Sequence, residues 1–211
     1  MPDGEPSELP IFELPAVLLP GELMPLHIFE ERYKRMVGGA LDSGEPFGIV
    51  FRDDEDGARS VGCTARVAEV LERFDDGRLN IVVAGEHPFR VLDRFDAPDY
   101  PAGEVELIDL GDEAPDHDEE AARAARATFA ELLEEVGAEP ASPEDLAAHD
   151  AYALAGRIEL PADTKQRLLE LRSEGERMRV LDRSLRAVAR VVKRSAALAE
   201  HARTNGRVIS G

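Results

Sequence analysis

The apolar residues of this chain pass from a mainly strand-like to a helical period near residue 109, and that change limits the fold more than any other feature. Val61, Cys63, Ala65 and Val67 alternate with Gly62, Thr64 and Arg66, the period of two expected of a half-buried strand. The alternation slips at the adjacent Val70 and Leu71, as a β-bulge would cause. Asp75-Asp76-Gly77 is a hairpin-turn sequence, because glycine supplies a positive φ. Leu79, Ile81 and Val83 then alternate again. Residues 47–52, 89–92 and 104–110 supply further strands. The segment 10–20, PIFELPAVLLP, is extended. Its prolines lack a backbone donor, which predicts a place at a sheet edge or crossing over one.

One helix interrupts the strands. Phe29, Tyr33, Met36, Val37, Ala40 and Leu41 share one face at helical spacing. A stop is expected at Ser43-Gly44, where glycine accepts a left-handed cap.

Beyond residue 109 the period is helical. The acidic, proline-containing stretch DLGDEAPDHDEE, residues 109–120, reads as a linker. Ala122, Ala125, Phe129, Leu132, Leu133 and Val136 form a stripe that GAEPA, residues 137–141, breaks. Ser142-Pro143-Glu144-Asp145 carries a helix start: a serine cap, proline first, an acid three residues on. A third helix is expected after Pro161, capped by Asp163, with Leu168, Leu169 and Leu171 buried. In the last helix Met178, Leu181, Leu185, Val188 and Val192 step by three and four like a coiled-coil seam. The seam lasts only about two heptads, so it is expected to pack on the body, with pairing to a second copy as the alternative. The fold class is therefore α+β: a β-rich part over 1–110, an acidic linker over 111–120, and a helical part over 121–211 that ends in a long basic helix.

A chain of 211 residues, 43% of them hydrophobic, can bury a core without a metal or disulfide staple. Cys63 is the one cysteine, which fits a reducing compartment. The opening MPDGEPSEL has neither the basic nor the apolar region of a signal peptide, and no run approaches a membrane span. A soluble cytoplasmic protein is expected. The net charge of −19 argues against nucleic-acid binding over the whole surface. Lys34, Lys165 and Lys193 are the only lysines among 25 basic residues. High-GC coding bias and adaptation to a salty cytoplasm both fit this usage. Residues 172–211 hold ten Lys/Arg against four Asp/Glu, a basic end on an acidic body.

Catalytic templates fail one by one. There is no Gly-Lys pair and so no P-loop to hold phosphates, and no GxSxG elbow for a serine nucleophile. His27, His87, His117, His149 and His201 match no zinc spacing. His117 sits among acids that lack the glycine and glutamate of an EF-hand. Cys63 lies within an alternating strand, where a buried thiol is structural. No catalytic residue, cofactor site or metal site is expected.

Residues 9–51, LPIFELPAVLLPGELMPLHIFEERYKRMVGGALDSGEPFGIVF, closely resemble the opening of the Lon protease N-terminal (substrate-binding) domain family. The matching residues are Leu9, Pro10, Phe12, Leu14, Pro20, Gly21, Pro25, Leu26, His27, Ile28, Phe29, Glu30, Arg32 and Tyr33. Val61-Gly62-Cys63-Thr64-Ala65 resembles the family's VGxxA strand. Asp76-Gly77-Arg78-Leu79, Ile81 to Gly85, and Phe89-Arg90-Val91 resemble its hairpin and the segment after it. Leu160 to Gln166, with Leu168, Leu169 and Glu170, resembles its closing helices. The resemblance implies a twisted, PUA-like β-barrel half followed by a helical half. It also implies a role: in full-length Lon proteases this domain helps engage substrates and assemble the ring, while ATPase and Ser-Lys protease modules do the chemistry. The motifs of neither module occur in these 211 residues, so a free-standing, non-catalytic module is expected.

In the resembling segment, Pro25 stiffens the entry, Phe29, Tyr33 and Met36 are expected to face the core, and Glu30 and Arg32 to fix the helix by pairing. Pro20, Gly21, Pro25, Leu26, His27, Ile28 and Gly62 are expected to build the fold. The loop Gly21, Glu22, Leu23 and Met24 is the candidate partner contact, because it would expose apolar groups beside a barrel. An open sheet edge along residues 10–20 is a second route for peptide capture. The expected partners are unfolded or peptide segments of other proteins, and a separate protease. An enzyme using a barrel–helix cleft and an RNA binder of the PUA-like type remain as alternatives.

Overall fold

The computed structural model describes residues 6–97, 99–108 and 118–205. The first part holds β1 (Ser7–Leu14), β2 (Leu23–Ile28), α1 (Glu31–Ser43), β3 (Phe47–Asp53), β4 (Gly57–Arg73), β5 (Leu79–Asp96) and β6 (Pro101–Leu107). The second part holds α2 (Glu119–Glu135), α3 (Pro143–Ala147), α4 (Ala151–Ala155), α5 (Ala162–Glu170) and α6 (Glu174–Asn205). The architecture is α+β, as the change of period predicts. Residues 109–117 of the acidic stretch lie outside the described residues. Asp118 caps α2 by accepting from the Ala121 amide at 2.9 Å, and Ser142 caps α3 by accepting from the Asp145 amide at 3.0 Å.

Five strands close on one another. β1 pairs with β3 in parallel, β3 with β4, β4 with β5, β5 with β6, and β6 with β1, all antiparallel after the first. β2 lies outside this circuit, paired with β5 over Leu79–Ala84. Full closure removes the exposed edges that a sheet otherwise presents.

Segment 10–20 does not form a sheet edge. Residues 7–10 pair with β6 and residues 11–14 with β3, so β1 is the strand that closes the barrel. The following residues do cross over a strand. Gly21 N donates to Gly85 O and Gly85 N to Glu22 O, each at 2.9 Å. A Cβ on Gly85 would stand 2.2 Å from the Leu19 carbonyl oxygen. Glycine is required there because two backbones touch.

Cross-strand pairs place Leu9, Ile11, Val50, Phe89 and Val105 on the inner face, where they form the barrel's own core. Gly62 and Gly48 make room for the Phe89 ring: added Cβ atoms would stand 2.9 and 2.6 Å from its Cζ. Val61, Cys63 and Ala65 face the opposite way, into a larger cluster with Phe129, Leu168 and Leu181 of the helices. Residues 61–65 are therefore buried on both faces, where alternation predicts one. The bulges appear as register shifts after Val67 and Val70, and Gly77 takes φ 82° in the hairpin turn. The strand expected at 89–92 is the continuation of β5, not a separate element.

α1 ends on Gly44 at φ 73°, and Tyr33, Met36 and Val37 are buried. Phe29 is not on that face. The helix begins at Glu31, Glu30 is extended, and Phe29 is 60% exposed. Val136 is likewise exposed, while Thr128 is buried in α2 and donates to Asp182 of α6 at 2.7 Å. Asp163 sits in the first turn of α5, and Pro161 takes the cap position without a side-chain bond. α4 is too short for a hydrophobic period to reveal. Met178, Leu181 and Leu185 are buried, so the seam of α6 packs on the body. Cys63 is fully buried, and that burial pushes its thiol pKa up, away from a reactive thiolate.

Tyr152 locks α4 to its neighbours. Its hydroxyl donates to Leu168 O at 3.2 Å, and the Arg177 guanidinium lies 4.8 Å from its ring centre. Burial pushes its pKa up from 10.0 to about 12. An unfolded tyrosine loses its proton first, so stability is full below pH 10.0 and falls as the pH rises towards about 12. Phenolate absorbance should show one tyrosine ionising last, and Tyr152→Phe should remove that step. Gly85→Ala should cost at least about 2 kcal/mol in urea unfolding, because backbone rather than a movable side chain occupies the space.

Candidate functional site

Beyond the closed barrel, β2, residues 79–84 of β5 and residues 66–73 of β4 make a three-stranded extension. One face of it packs on the core through Ile28, Ile81 and Val83. The other face is open, and register defines its rows. His27 pairs with Asn80, and Asn80 with Glu72. Pro25 pairs with Val82, and Val82 with Glu69. Leu23 pairs with Ala84, and Ala84 with Arg66. Directly paired residues point to the same side of a sheet, so all of these share the outer face.

The polar row is tied together. His27 Nδ1 lies 2.6 Å from Asn80 Oδ1, and Asn80 Nδ2 donates to Glu72 Oε2 at 3.0 Å. Along β2 and β5 the other rows are apolar, and Glu69 and Arg66 of β4 border them with charge. Leu23 is 63% and Leu71 55% exposed. Leu71 is the extra residue of the second bulge, and it shares a cleft of about 510 Å³ with Pro25, His27 and Asn80. At the lower end Phe29 stacks on His27 at 5.8 Å and Phe74 meets it edge-on at 6.2 Å. Exposed apolar groups gathered on one face, rather than scattered singly, mark a contact surface.

The four residues of the expected partner loop divide between two environments. Gly21 turns at φ 75°. Leu23 heads the open face, and Met24 points to the core. Glu22 turns inward: it accepts from the Leu19 amide at 3.0 Å and pairs with Lys165 of α5. Glu22 and Lys165 side chains are only 12% and 13% exposed. This pair clasps the helical part to the barrel. A second tie lies beside it, from Gln166 Nε2 to Val61 O at 3.2 Å.

The remaining motif residues fall into place around these two features. Pro20 precedes the Gly85 crossing. Pro25 and His27 lie on the open face, and Leu26 and Ile28 beneath it. Glu30 and Arg32 pair with each other at 2.8 Å. Tyr33 packs on Phe12, ring centres 4.0 Å apart. Leu71 and Phe74 are the members of the face that sequence reasoning missed. The adjacent Val70 and Leu71 were the available sign, since a bulge turns one of them outward. No group of three or more metal-ligating side chains occurs among the described residues, and no helix there is long and apolar enough to cross a membrane.

Removing one partner of a desolvated ion pair strands the other charge, which costs about 3 kcal/mol or more. Glu22→Ala should therefore lower stability by that amount in urea unfolding. The double variant Glu22→Met, Lys165→Met should recover most of it. Leu23→Ala, at an exposed position, should change it by less than about 0.5 kcal/mol.

Comparison with known proteins agrees with this fold. The chain is 25% identical over 205 residues to a Lon protease of Anaeromyxobacter dehalogenans (strain 2CP-C), covering 90% of this chain and 24% of that protein. It thus spans about a quarter of that relative's length. Among solved structures, the N-terminal domain of Mycobacterium avium complex Lon protease superposes with TM-score 0.66 at 22% identity, over 85% of this chain and 98% of that one. A Lon N-terminal domain protein from Xanthomonas campestris gives 0.59 at 23% identity, over 82% and 95%. The profile described as the ATP-dependent protease La (LON) substrate-binding domain matches residues 8–186, and the chain belongs to that family.

Proposed function

We propose that this chain is a non-catalytic module that binds unfolded or peptide segments of other proteins, and that the outer face of the β2–β5–β4 extension is where they dock. The observation that carries this reading is the gathering of Leu23, Leu71 and Phe29, each more than half exposed, on and at the end of the part of the sheet that, among the described residues, lies outside the closed barrel. An apolar strip with a polar row across it offers affinity through burial and little demand on sequence. That suits a binder of many different unfolded segments. Family membership supports a substrate-recognition role, and the 211 residues contain no P-loop and no GxSxG elbow.

Capture along a sheet edge is the less favoured route. Among the described residues the outer edge of β2 has no partner strand, but Pro25 in the middle of β2 lacks an amide to donate. A strand added there would find its ladder interrupted, so side-chain burial on the face is the main source of affinity. In this reading the module serves protein quality control as a client-binding protein or adaptor, passing bound segments to protease activity located elsewhere.

A fluorescently labelled, permanently unfolded protein should bind the chain with an affinity that Leu71→Asp, or Leu23→Asp with Leu71→Asp, weakens at least about tenfold. Burying a carboxylate in an apolar contact costs far more than the lost leucine area. Both positions are exposed, so the melting temperature should hold. Equal binding by parent and double variant, or no binding by the parent, would overturn the proposal.

A further inference from the structure

The open end of the barrel carries a second surface that the apolar face does not use. β1, β3 and β5 all reach this end, and their inward rows change there from apolar to charged. Ile11 is followed by Glu13, Val50 by Arg52, and Val91 by Arg94 beyond a bulge. Glu13 spans the mouth. Its Oε2 accepts from Arg52 Nη1 at 2.5 Å and its Oε1 from Arg94 Nη1 at 2.7 Å. Arg94 Nη2 also donates to the Arg59 carbonyl. From α1, Arg32 lies against the Tyr33 ring at 4.7 Å and pairs with Glu30. Together these residues enclose a cleft of about 650 Å³, with Ile11, Phe95, Pro101 and Ala102 completing its walls.

We propose that this mouth binds a carboxylate carried on an apolar group. The volume lies within the range of about 300–1,000 Å³ of small-molecule sites, which often occupy barrel mouths. A guanidinium has five N–H donors. The described bonds use one from Arg52 and two from Arg32. Both side chains are more than half exposed, so the unused donors can meet a ligand. Glu13 has both oxygens occupied by arginines on different strands. It therefore holds two guanidinia in place ahead of binding, which lowers the ordering cost.

The remaining charges select the ligand. Three arginines face Glu13, Glu30 and Asp96 in the same cleft, so the mouth is balanced rather than cationic. A phosphate or polyanion would meet Glu30 and Asp96 with repulsion. A single carboxylate can take a forked pair of bonds from Arg32 or Arg52 while its apolar group covers Phe95 and Pro101. The end of a polypeptide chain and a free carboxylic acid both carry this chemistry.

Calorimetric titration with four probes tests the site: Gly-Gly-Phe with a free carboxylate, the same tripeptide amidated, 3-phenylpropionate, and pyrophosphate. The free tripeptide should bind at least about tenfold tighter than the amide. Its affinity should fall as salt is raised, since the guanidinia are partly exposed. Arg32→Gln and Arg52→Gln should each reduce that advantage, whereas Leu71→Asp should leave it intact, which separates this site from the apolar face. If 3-phenylpropionate matches the tripeptide, the occupant is a small acid. If the free tripeptide alone binds, it is a chain end. Both results support the site. Equal binding of acid and amide, tighter binding of pyrophosphate, absence of binding, or an Arg52→Gln variant that melts and binds like the parent would overturn it.

Discussion

The contact between the backbones at Leu19 and Gly85 organises most of this molecule. Two hydrogen bonds join residues 21 and 22 to Gly85, and no side chain can stand between them. The crossing sets where β2 begins, because the chain enters β2 one residue after Glu22. It divides β5, which pairs with β2 before Gly85 and with β6 from Phe89 onward. It also aims Glu22 at Lys165, which joins the barrel to the helices. One steric constraint therefore stands at the start of β2, at the hand-over of β5 from β2 to β6, and beside the clasp between barrel and helices.

Closure of the barrel explains why the proposed peptide face lies where it does. A closed circuit leaves no ladder for another chain to extend, and the helices cover one outer wall of it through Val61, Cys63 and Ala65. The extension of β2, β5 and β4 escapes both kinds of cover. Its inner face is anchored by Ile28, Ile81 and Val83, so the outer face is held rigid while it stays open. A rigid apolar face requires little ordering on binding, and the ordering cost then falls mainly on the incoming segment.

What could be read from the sequence was what local period and turn chemistry dictate. The hairpin at Gly77, the stop at Gly44, the cap at Ser142 and the buried seam of Met178, Leu181 and Leu185 all follow from residues close in the chain. Failures came where distant contacts decide. The prolines of residues 10–20 left open an edge or a crossing: residues 7–14 close the barrel by pairing with two strands far away in sequence, and the chain after them crosses β5 at Gly85. Phe29 matched a helical stripe, yet the helix starts two residues later, and Phe29 stacks on His27 instead. Glu22 looked like part of an exposed loop because nothing nearby in sequence announces Lys165, 143 residues away. The outward turn of Leu71 depends on a bulge whose existence was legible but whose direction was not.

An exposed apolar face is a liability to the protein that carries it, since two copies can bury it against each other. The charge of this chain opposes that outcome. With a net charge of −19, approaching copies repel, and Glu69 and Glu72 border the apolar rows on this face. Contact between copies must bring these carboxylates together, whereas an unfolded segment of neutral or positive charge meets no such barrier. On the proposed peptide face, the same acidity that argues against nucleic-acid binding would thus favour apolar segments of foreign chains over self-association. That bias weakens as salt screens the repulsion over distances of about 10 Å, while burial of Leu23 and Leu71 does not depend on screening. Under the proposed function, selectivity against self-contact would therefore be electrostatic and salt-sensitive, and affinity for a client apolar and salt-tolerant, although both would arise on one small sheet.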